Sequence, residues 1–133
     1  MFTTKIRIYF FDGDPAGISF YGNIFKYAHI AYEEFMWKLF PDRNVFLDRD
    51  YVLPIFKANA NFLKPMLIGE KIKIKLFVSQ LKDFSFEVSY SFYNKKNELT
   101  AKVETVHVSV LKKNFKKIRI PVELKTKLEK HLK

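Results

Sequence analysis

The chain has 133 residues, 48% of them hydrophobic and 17% aromatic, with 15 Phe and seven Tyr, which excludes a disordered polypeptide and sets the scale at one domain, residues 1–133. Without Cys there is no disulfide framework, thiolate nucleophile or cysteine metal site. No apolar run reaches membrane-span length, and Lys5 and Arg7 interrupt any signal-peptide core, so the expected location is cytoplasmic. The net charge of +10 favours polyanionic partners such as phosphorylated cofactors, acidic carrier proteins, nucleic acid or anionic lipid, set against the plainer reading that Lys is simply the preferred surface residue.

Thr4 to Phe11 sets Ile6, Ile8 and Phe10 against Lys5, Arg7 and Tyr9, the period-two pattern of a half-buried strand. Asp14-Pro15-Ala16-Gly17 then has Asp, Pro and Gly where a type I turn wants them, and Pro15 pushes Asp14 into extended backbone at the lip of that strand. Ser19 is the expected N-cap of a long helix. Ile24, Tyr27, Ala28, Ala31, Phe35 and Leu39 recur at helical spacing, and Phe25, Tyr32 and Met36 form a second stripe, so the helix is apolar around most of its circumference and central. Pro41 stops it near Phe40.

Asp42 to Asp50 reads as a polar loop. A strand follows in which Phe56, Ala58, Ala60 and Phe62 alternate with Lys57, Asn59 and Asn61, and Lys64 to Glu70 is a bend. From Lys71 to Gln80, Ile72, Ile74, Leu76 and Val78 alternate with lysines; Phe84, Phe86, Val88, Tyr90 and Phe92 repeat the pattern up to a hairpin turn at Asn94 to Asn97. Glu98 to Lys112 is the last long strand. Its apolar phase changes from Leu99, Ala101 and Val103 to Val106, Val108 and Val110, the signature of a bulge or of a buried face that switches sides. After a basic loop at Asn114 to Lys117, Pro121 opens a short helix with Leu124, Leu128 and Leu132 as its stripe. The order β-α-β-β-β-β-α predicts an α+β fold in which a curved antiparallel five-stranded sheet wraps one long central helix, with exposed edges that invite at least dimerisation.

The start of the long helix brings free N–H groups and a positive dipole end toward Asp14, which is the arrangement of an acyl-transfer site with a base or nucleophile beside an oxyanion stabiliser. Taken alone, Asp before Pro in such a turn is usually turn chemistry. Asp12 is expected to face solvent or to stabilise the turn. Glu33 and Glu34 read as a solvated stripe with Lys26 and Lys38, in which Glu34 pairs with Lys38 at i, i+4. His29 reads as a packing or interface residue, and His107 and His131 lack metal-ligand spacing. HExxH, GxSxG, Walker and GxGxxG motifs are absent, so no metal is expected. Lys71, Lys73 and Lys75 read as solubility and edge protection. Lys112, Lys113, Lys116 and Lys117 are candidates for gripping the phosphates of a phosphorylated cofactor or the acidic surface of a carrier protein.

The stretch FDGDPAGISFYGNIFKYAHIAYEEF, Phe11 to Phe35, resembles the hotdog-fold acyl-CoA thioesterases, in particular the 4-hydroxybenzoyl-CoA thioesterase and YbgC-like branch. The likeness in element order runs the length of the chain to Ile120–Leu124, while the specific motif spans Asp12 to Glu34. It departs at His29, where an acidic residue is usual, and at Tyr32, where Arg is common. The resemblance implies that Asp14 is the catalytic carboxylate, with Glu34 and Glu33 second because related enzymes can use a carboxylate on the helix, and that the backbone N–H at Tyr21 polarises the thioester carbonyl. It also implies that Asp12, Gly17, Asn23 and Glu34 occupy family positions, with Gly17 and Asn23 beside the substrate, and that the phosphates within reach of Lys112, Lys113 and Lys116 would be those of CoA. It implies homo-oligomers, dimers paired through their sheets and further associated into tetramers, with the thioester at a subunit interface. The expected reaction is hydrolysis of an acyl-CoA or acyl-carrier-protein thioester to a free acid without metal or redox cofactor, Asp14 either attacking the carbonyl or activating water. The alternative is a non-catalytic basic binding module for acyl carriers, nucleic acid or anionic membrane. Its stacking platforms are disfavoured because the aromatics alternate inward with the strand period.

Overall fold

A computed structural model describes residues 1–133. Strand β1 (Phe2–Arg7) leads to helix α1 (Ile24–Leu39), a short strand β2 (Tyr51–Val52), then β3 (Ile55–Phe62), β4 (Lys71–Leu81), β5 (Ser85–Tyr93), β6 (Leu99–Val108), a short β7 (Val110–Leu111) and helix α2 (Val122–Glu129). Five strands form one antiparallel sheet in the order β1-β4-β5-β6-β3, and β2 pairs with β7. This is the α+β arrangement that the patterning predicts.

The clean alternation in β4 and β5 translates directly into packing. Ile74, Leu76 and Val78 lie opposite Phe92, Tyr90 and Val88, and all six are buried against the helix layer. α1 packs against β1, β4 and β6 and buries Ile24, Tyr27, Ala28, Ala31, Tyr32, Phe35 and Met36. Burial of a side chain the size of Phe35 contributes about 1.5–3 kcal/mol, so this face holds the helix on the sheet. α1 ends where Pro41 requires, with the Phe40 N–H donating to Met36 O.

Five boundaries or faces differ from expectation. β1 stops at Arg7, and Phe10–Asp12 forms a 3-10 turn that leaves Phe10 85% exposed, because the Asp12 N–H and carboxylate fold back onto Tyr9. α1 starts at Ile24, preceded by a 3-10 turn at Tyr21–Asn23; the Ser19 hydroxyl is no cap, being engaged with the Tyr27 hydroxyl at 2.8 Å. β3 is exposed on both faces except at Ala60, because it is the outer edge of the sheet and no layer of this chain covers it. The inner face of β6 keeps its phase through Ala101, Val103, Thr105 and His107, with Val106 and Val108 half-buried on the other side. The switch comes later, at the adjacent buried Ser109 and Val110, where the chain leaves β6 to pair with β2. Pro121 caps α2 from outside its first turn, and Leu132 lies beyond its end, 49% exposed, while Leu124 and Leu128 are fully buried.

Candidate active site

The turn predicted at Asp14 is present. The Gly17 N–H donates to Asp14 O at 3.0 Å, and the Ala16 N–H donates to Asp14 Oδ1 at 2.8 Å. Gly17 has φ +80°, a backbone state that a Cβ disfavours, so the glycine is what lets the chain turn here. The second carboxylate oxygen of Asp14 receives no hydrogen bond from the chain, and the residue is half-buried. The loop before β4 clamps the turn: the Ile68 N–H donates to Gly17 O at 3.1 Å and the Ser19 N–H to Met66 O at 2.8 Å. At Gly13 a Cβ would fall 2.2 Å from Ile68 Cδ1, so a larger residue there would oblige the Ile68 side chain to move.

Asp12 is not at the surface. It is 3% exposed, and its Oδ1 lies 2.6 Å from Lys26 Nζ while its Oδ2 accepts the Tyr9 N–H at 3.3 Å. Burial works against its charge, but the hydrogen bonds from Lys26 and from the backbone at Tyr9 outweigh burial and hold the carboxyl below its ordinary value. Its carbonyl accepts the Phe20 N–H and the Asn23 side-chain amide, both at 2.9 Å. Asp12 therefore ties the end of β1, the Asp14 turn and the start of α1 together. Lys26 is drawn out of the expected solvated stripe to do so, and the side chain of Asn23 is spent on this anchor. Nothing in the local sequence signals the Asp12–Lys26 pair, because its partners are 14 residues apart and meet only once the turn has closed.

The first N–H groups of a helix have no intrahelical acceptor, and no side chain caps the 3-10 turn that begins at Tyr21. The Tyr21 side chain is 71% exposed, with Phe20 at 4.9 Å and the edge of Phe62 at 6.4 Å between ring centroids. Beside it lies a cavity of about 340 Å³ whose walls are Ile18 to Tyr21, Ile24 and the segment Phe62 to Met66. Asp14 does not line this cavity, but the turn it opens runs straight into the wall that begins at Ile18. A free carboxylate oxygen, unclaimed N–H donors and an apolar recess thus occur within one short stretch. This set can seat an apolar acyl group, attack or hydrate its carbonyl, and receive the resulting oxyanion.

The remaining predicted residues lie elsewhere. Glu33 is half-exposed with its Oε2 3.3 Å from His29 Nε2, so His29 sits at the surface of the chain, and Glu34 is exposed. The expected Glu34–Lys38 pair does not form, since Lys38 Nζ lies over the Phe2 ring at 5.5 Å. Lys112 and Lys113 line a depression of about 500 Å³ with Asp50 and Leu111, which none of the residues around Asp14 enters. Lys116 closes the adjoining turn through its N–H to Asn114 Oδ1, and Lys117 lies over Phe84.

Sequence patterning also misses a buried polar line behind α1. His107 is sandwiched between Tyr32 at 4.4 Å and Phe86 at 5.0 Å. Its Nδ1 is 3.2 Å from Leu53 O and its Nε2 is 2.9 Å from Thr105 Oγ1, which in turn is 3.0 Å from the Tyr90 hydroxyl. A carbonyl only accepts, so Nδ1 carries the proton, Thr105 donates to Nε2 and Tyr90 donates to Thr105. Burial pushes the His107 pKa down to about 4.

A family model described as the thioesterase-like superfamily matches residues 12–128. The chain is 34% identical over 111 residues to a 1,4-dihydroxy-2-naphthoyl-CoA hydrolase of Crocosphaera subtropica, covering 81% of each chain. It is 31% identical over 133 residues to the protein of that name from Acaryochloris marina, covering 98% of this chain and 96% of the relative. Among solved structures it is similar to a gentisyl-coenzyme A thioesterase, with a TM-score of 0.83 at 25% identity over 96% of this chain and 98% of the other.

Proposed function

The chain belongs to the thioesterase-like superfamily and is a thioester hydrolase on a hotdog fold, and from that premise we propose that it cleaves an aromatic acyl-CoA with Asp14 as its catalytic carboxylate. The observation that carries this is the state of Asp14: one oxygen is fixed by the Ala16 N–H, the other is free, and the turn continues into the wall of an apolar cavity beside an uncapped helix start. The free oxygen acts on the thioester carbonyl. In one route it adds to the carbonyl carbon, the C–S bond breaks, CoA leaves as a thiolate, and water then hydrolyses the mixed anhydride. In the other it takes a proton from a water that adds to the carbonyl carbon, and the tetrahedral adduct then collapses with cleavage of the C–S bond and loss of CoA thiolate. In both the developing oxyanion is received by the Tyr21 N–H.

The choice of acyl group follows the relatives. Two carry the name 1,4-dihydroxy-2-naphthoyl-CoA hydrolase and a similar structure is that of a gentisyl-coenzyme A thioesterase, all with aromatic acyl groups. The 340 Å³ recess, with Phe20, Tyr21 and Phe62 on its wall, suits such a ring. We place a bicyclic hydroxyaryl thioester first, ahead of the single ring of the 4-hydroxybenzoyl-CoA and YbgC-like branch and ahead of acyl carrier protein thioesters. Residues 1–133 act as one domain in the cytoplasm. The exposed edge β3, with Phe56 64% and Phe62 50% exposed, pairs with a second copy so that the cavity lies at the subunit interface, and dimers associate further into tetramers; light scattering reads that state.

The test is thiol release from a panel of acyl-CoAs, using a thiol-reactive dye that meets no protein Cys. Asp14→Asn is expected to lower kcat about 10³-fold or more with an unchanged melting temperature. Turnover within about tenfold of wild type in that variant would move the chemistry to Glu34 or Glu33. No thiol release by wild type from any CoA or carrier-protein thioester would support the binding-module reading instead.

A further inference from the structure

The edge of the sheet opposite β3 carries a second set of features that the site around Asp14 and Tyr21 does not include. β1 is an edge strand, and its outward residues stand directly across from like charges on β4, Lys5 against Lys73 and Arg7 against Lys71. Like charges directly opposite one another in a sheet repel. No carboxylate offsets them, since none of Lys5, Arg7, Lys71, Lys73 and Lys95 takes part in a salt bridge. Lys5, Lys71, Lys73 and Lys95, with Asn94 and Asn97, line a depression of about 300 Å³ that contains no apolar residue. Lys73 is held in place by Asn97 Oδ1 at 2.8 Å, and Arg7 by Gly69 O at 2.8 Å.

Lys5 also belongs to a neighbouring recess of about 380 Å³ with a different lining, in which Tyr9, Phe11 and Tyr27 accompany Arg7 and Lys26. Tyr9 and Phe11 are 54% and 78% exposed, and their rings lie 5.3 Å apart at 30°. These rings continue the outward phase of Lys5 and Arg7, and the 3-10 turn at Phe10–Asp12 leaves them exposed beyond the end of β1. The Lys26 ammonium is fixed between the Asp12 carboxylate and the faces of Phe11 and Tyr27. An aromatic recess with pinned cations therefore adjoins an all-cation, amide-lined depression, and one lysine is common to both. The recess offers ring faces to a planar base, and the depression offers ammonium groups to phosphates.

We propose that this edge is a binding site for a nucleoside carrying two or more phosphate groups, its base against Tyr9 and Phe11 and its phosphates among Lys5, Lys71, Lys73 and Lys95. Bound phosphate relieves the cross-strand repulsion that the empty site bears. The two depressions share no lining residue with the apolar cavity beside Tyr21, and binding there does not depend on the catalytic reading.

Calorimetric titration of the full chain with adenosine 3′,5′-bisphosphate, ATP, adenosine and pyrophosphate tests it. Both nucleotides are expected to bind at least about tenfold more tightly than adenosine or pyrophosphate alone, with affinity falling as salt rises. Lys5→Ala with Lys73→Ala weakens nucleotides and pyrophosphate alike, Phe11→Ala weakens nucleotides but not pyrophosphate, and Asp14→Asn changes neither. Absence of nucleotide binding, or binding that none of these surface variants alters, overturns the proposal. The source of the nucleotide is read from kinetics: a raised KM for acyl-CoA at unchanged kcat in the double lysine variant identifies the nucleotide end of the coenzyme. Unchanged kinetics together with ATP binding identifies a free nucleotide.

Discussion

Two polar regions lie along α1, and they treat hydrogen bonds in opposite ways. Behind the helix, Leu53 O, His107, Thr105 and Tyr90 form a closed chain in which each side-chain donor has an acceptor. In front of its N-terminus, Asp14 keeps one carboxylate oxygen unclaimed and the Tyr21 turn begins without a cap. Closed networks stabilise and specify a core, whereas unclaimed groups remain available to a substrate. Polarity alone does not mark a site; unspent hydrogen-bonding capacity does. Asp12 shows how sharp the boundary is, because it lies two residues from Asp14 and is fully engaged.

The largest effect that would break this contrast is kinetic, and it belongs to the open region: about 10³-fold or more in kcat for Asp14→Asn. The next is thermodynamic and belongs to the closed one. The folded-state pKa of His107 is depressed, so its neutral form contributes stability that is complete above about pH 6.5 and is lost progressively as pH falls toward about 4. A shift of this size corresponds to about 3 kcal/mol over that window. Urea unfolding from pH 7 to 4 should show this slope in wild type and lose it in His107→Gln. A wild-type stability that stays flat over that range would mean that His107 takes up a proton without unfolding, and that the chain around it is not closed.

How much of this was legible in the sequence depends on where the partners come from. Features set by neighbours in the chain were readable: the Asp14–Gly17 turn, the inward faces of β4 and β5, and the end of α1 at Phe40. Features set by distant partners were not. Thr105 and His107 sit where the apolar pattern has no place for them, because their polarity is satisfied by Tyr90 and Leu53 and not by water. The valines at 106 and 108 then suggest a change of phase that the strand does not make. Asp12 carries no local mark of burial, because Lys26 reaches it only through the turn. β3 alternates correctly as a sequence, yet no covering layer exists within one chain.

A smaller effect separates anchoring from catalysis within the open region itself. Asp12→Ala removes the partner of Lys26 and the acceptor of the Tyr9 N–H. Lys26 is half-exposed and regains water, so the expected cost is roughly 2 kcal/mol, below that of a fully enclosed pair. Once folded, the variant should keep kcat within about tenfold of wild type, since Asp12 does not reach the substrate in this reading. A loss of kcat as deep as that of Asp14→Asn, at unchanged unfolding free energy, would place Asp12 in the chemistry.

The smallest expected effect is the one that most directly checks which carboxylate matters. Glu34 is exposed on α1, does not pair with Lys38, and lines neither the apolar recess nor the turn; Glu33 is occupied with His29 at the surface. An exposed ion pair of this kind is worth about 0–1 kcal/mol, so Glu34→Gln and Glu33→Gln should each leave stability within about 0.5 kcal/mol and turnover within about twofold. A helix carboxylate that acts on substrate from a partner subunit's face would behave differently: its Gln variant would lose activity without losing stability. Measured side by side with Asp14→Asn on the same thioester, the pair of variants decides whether the chemistry begins from the turn or from the helix.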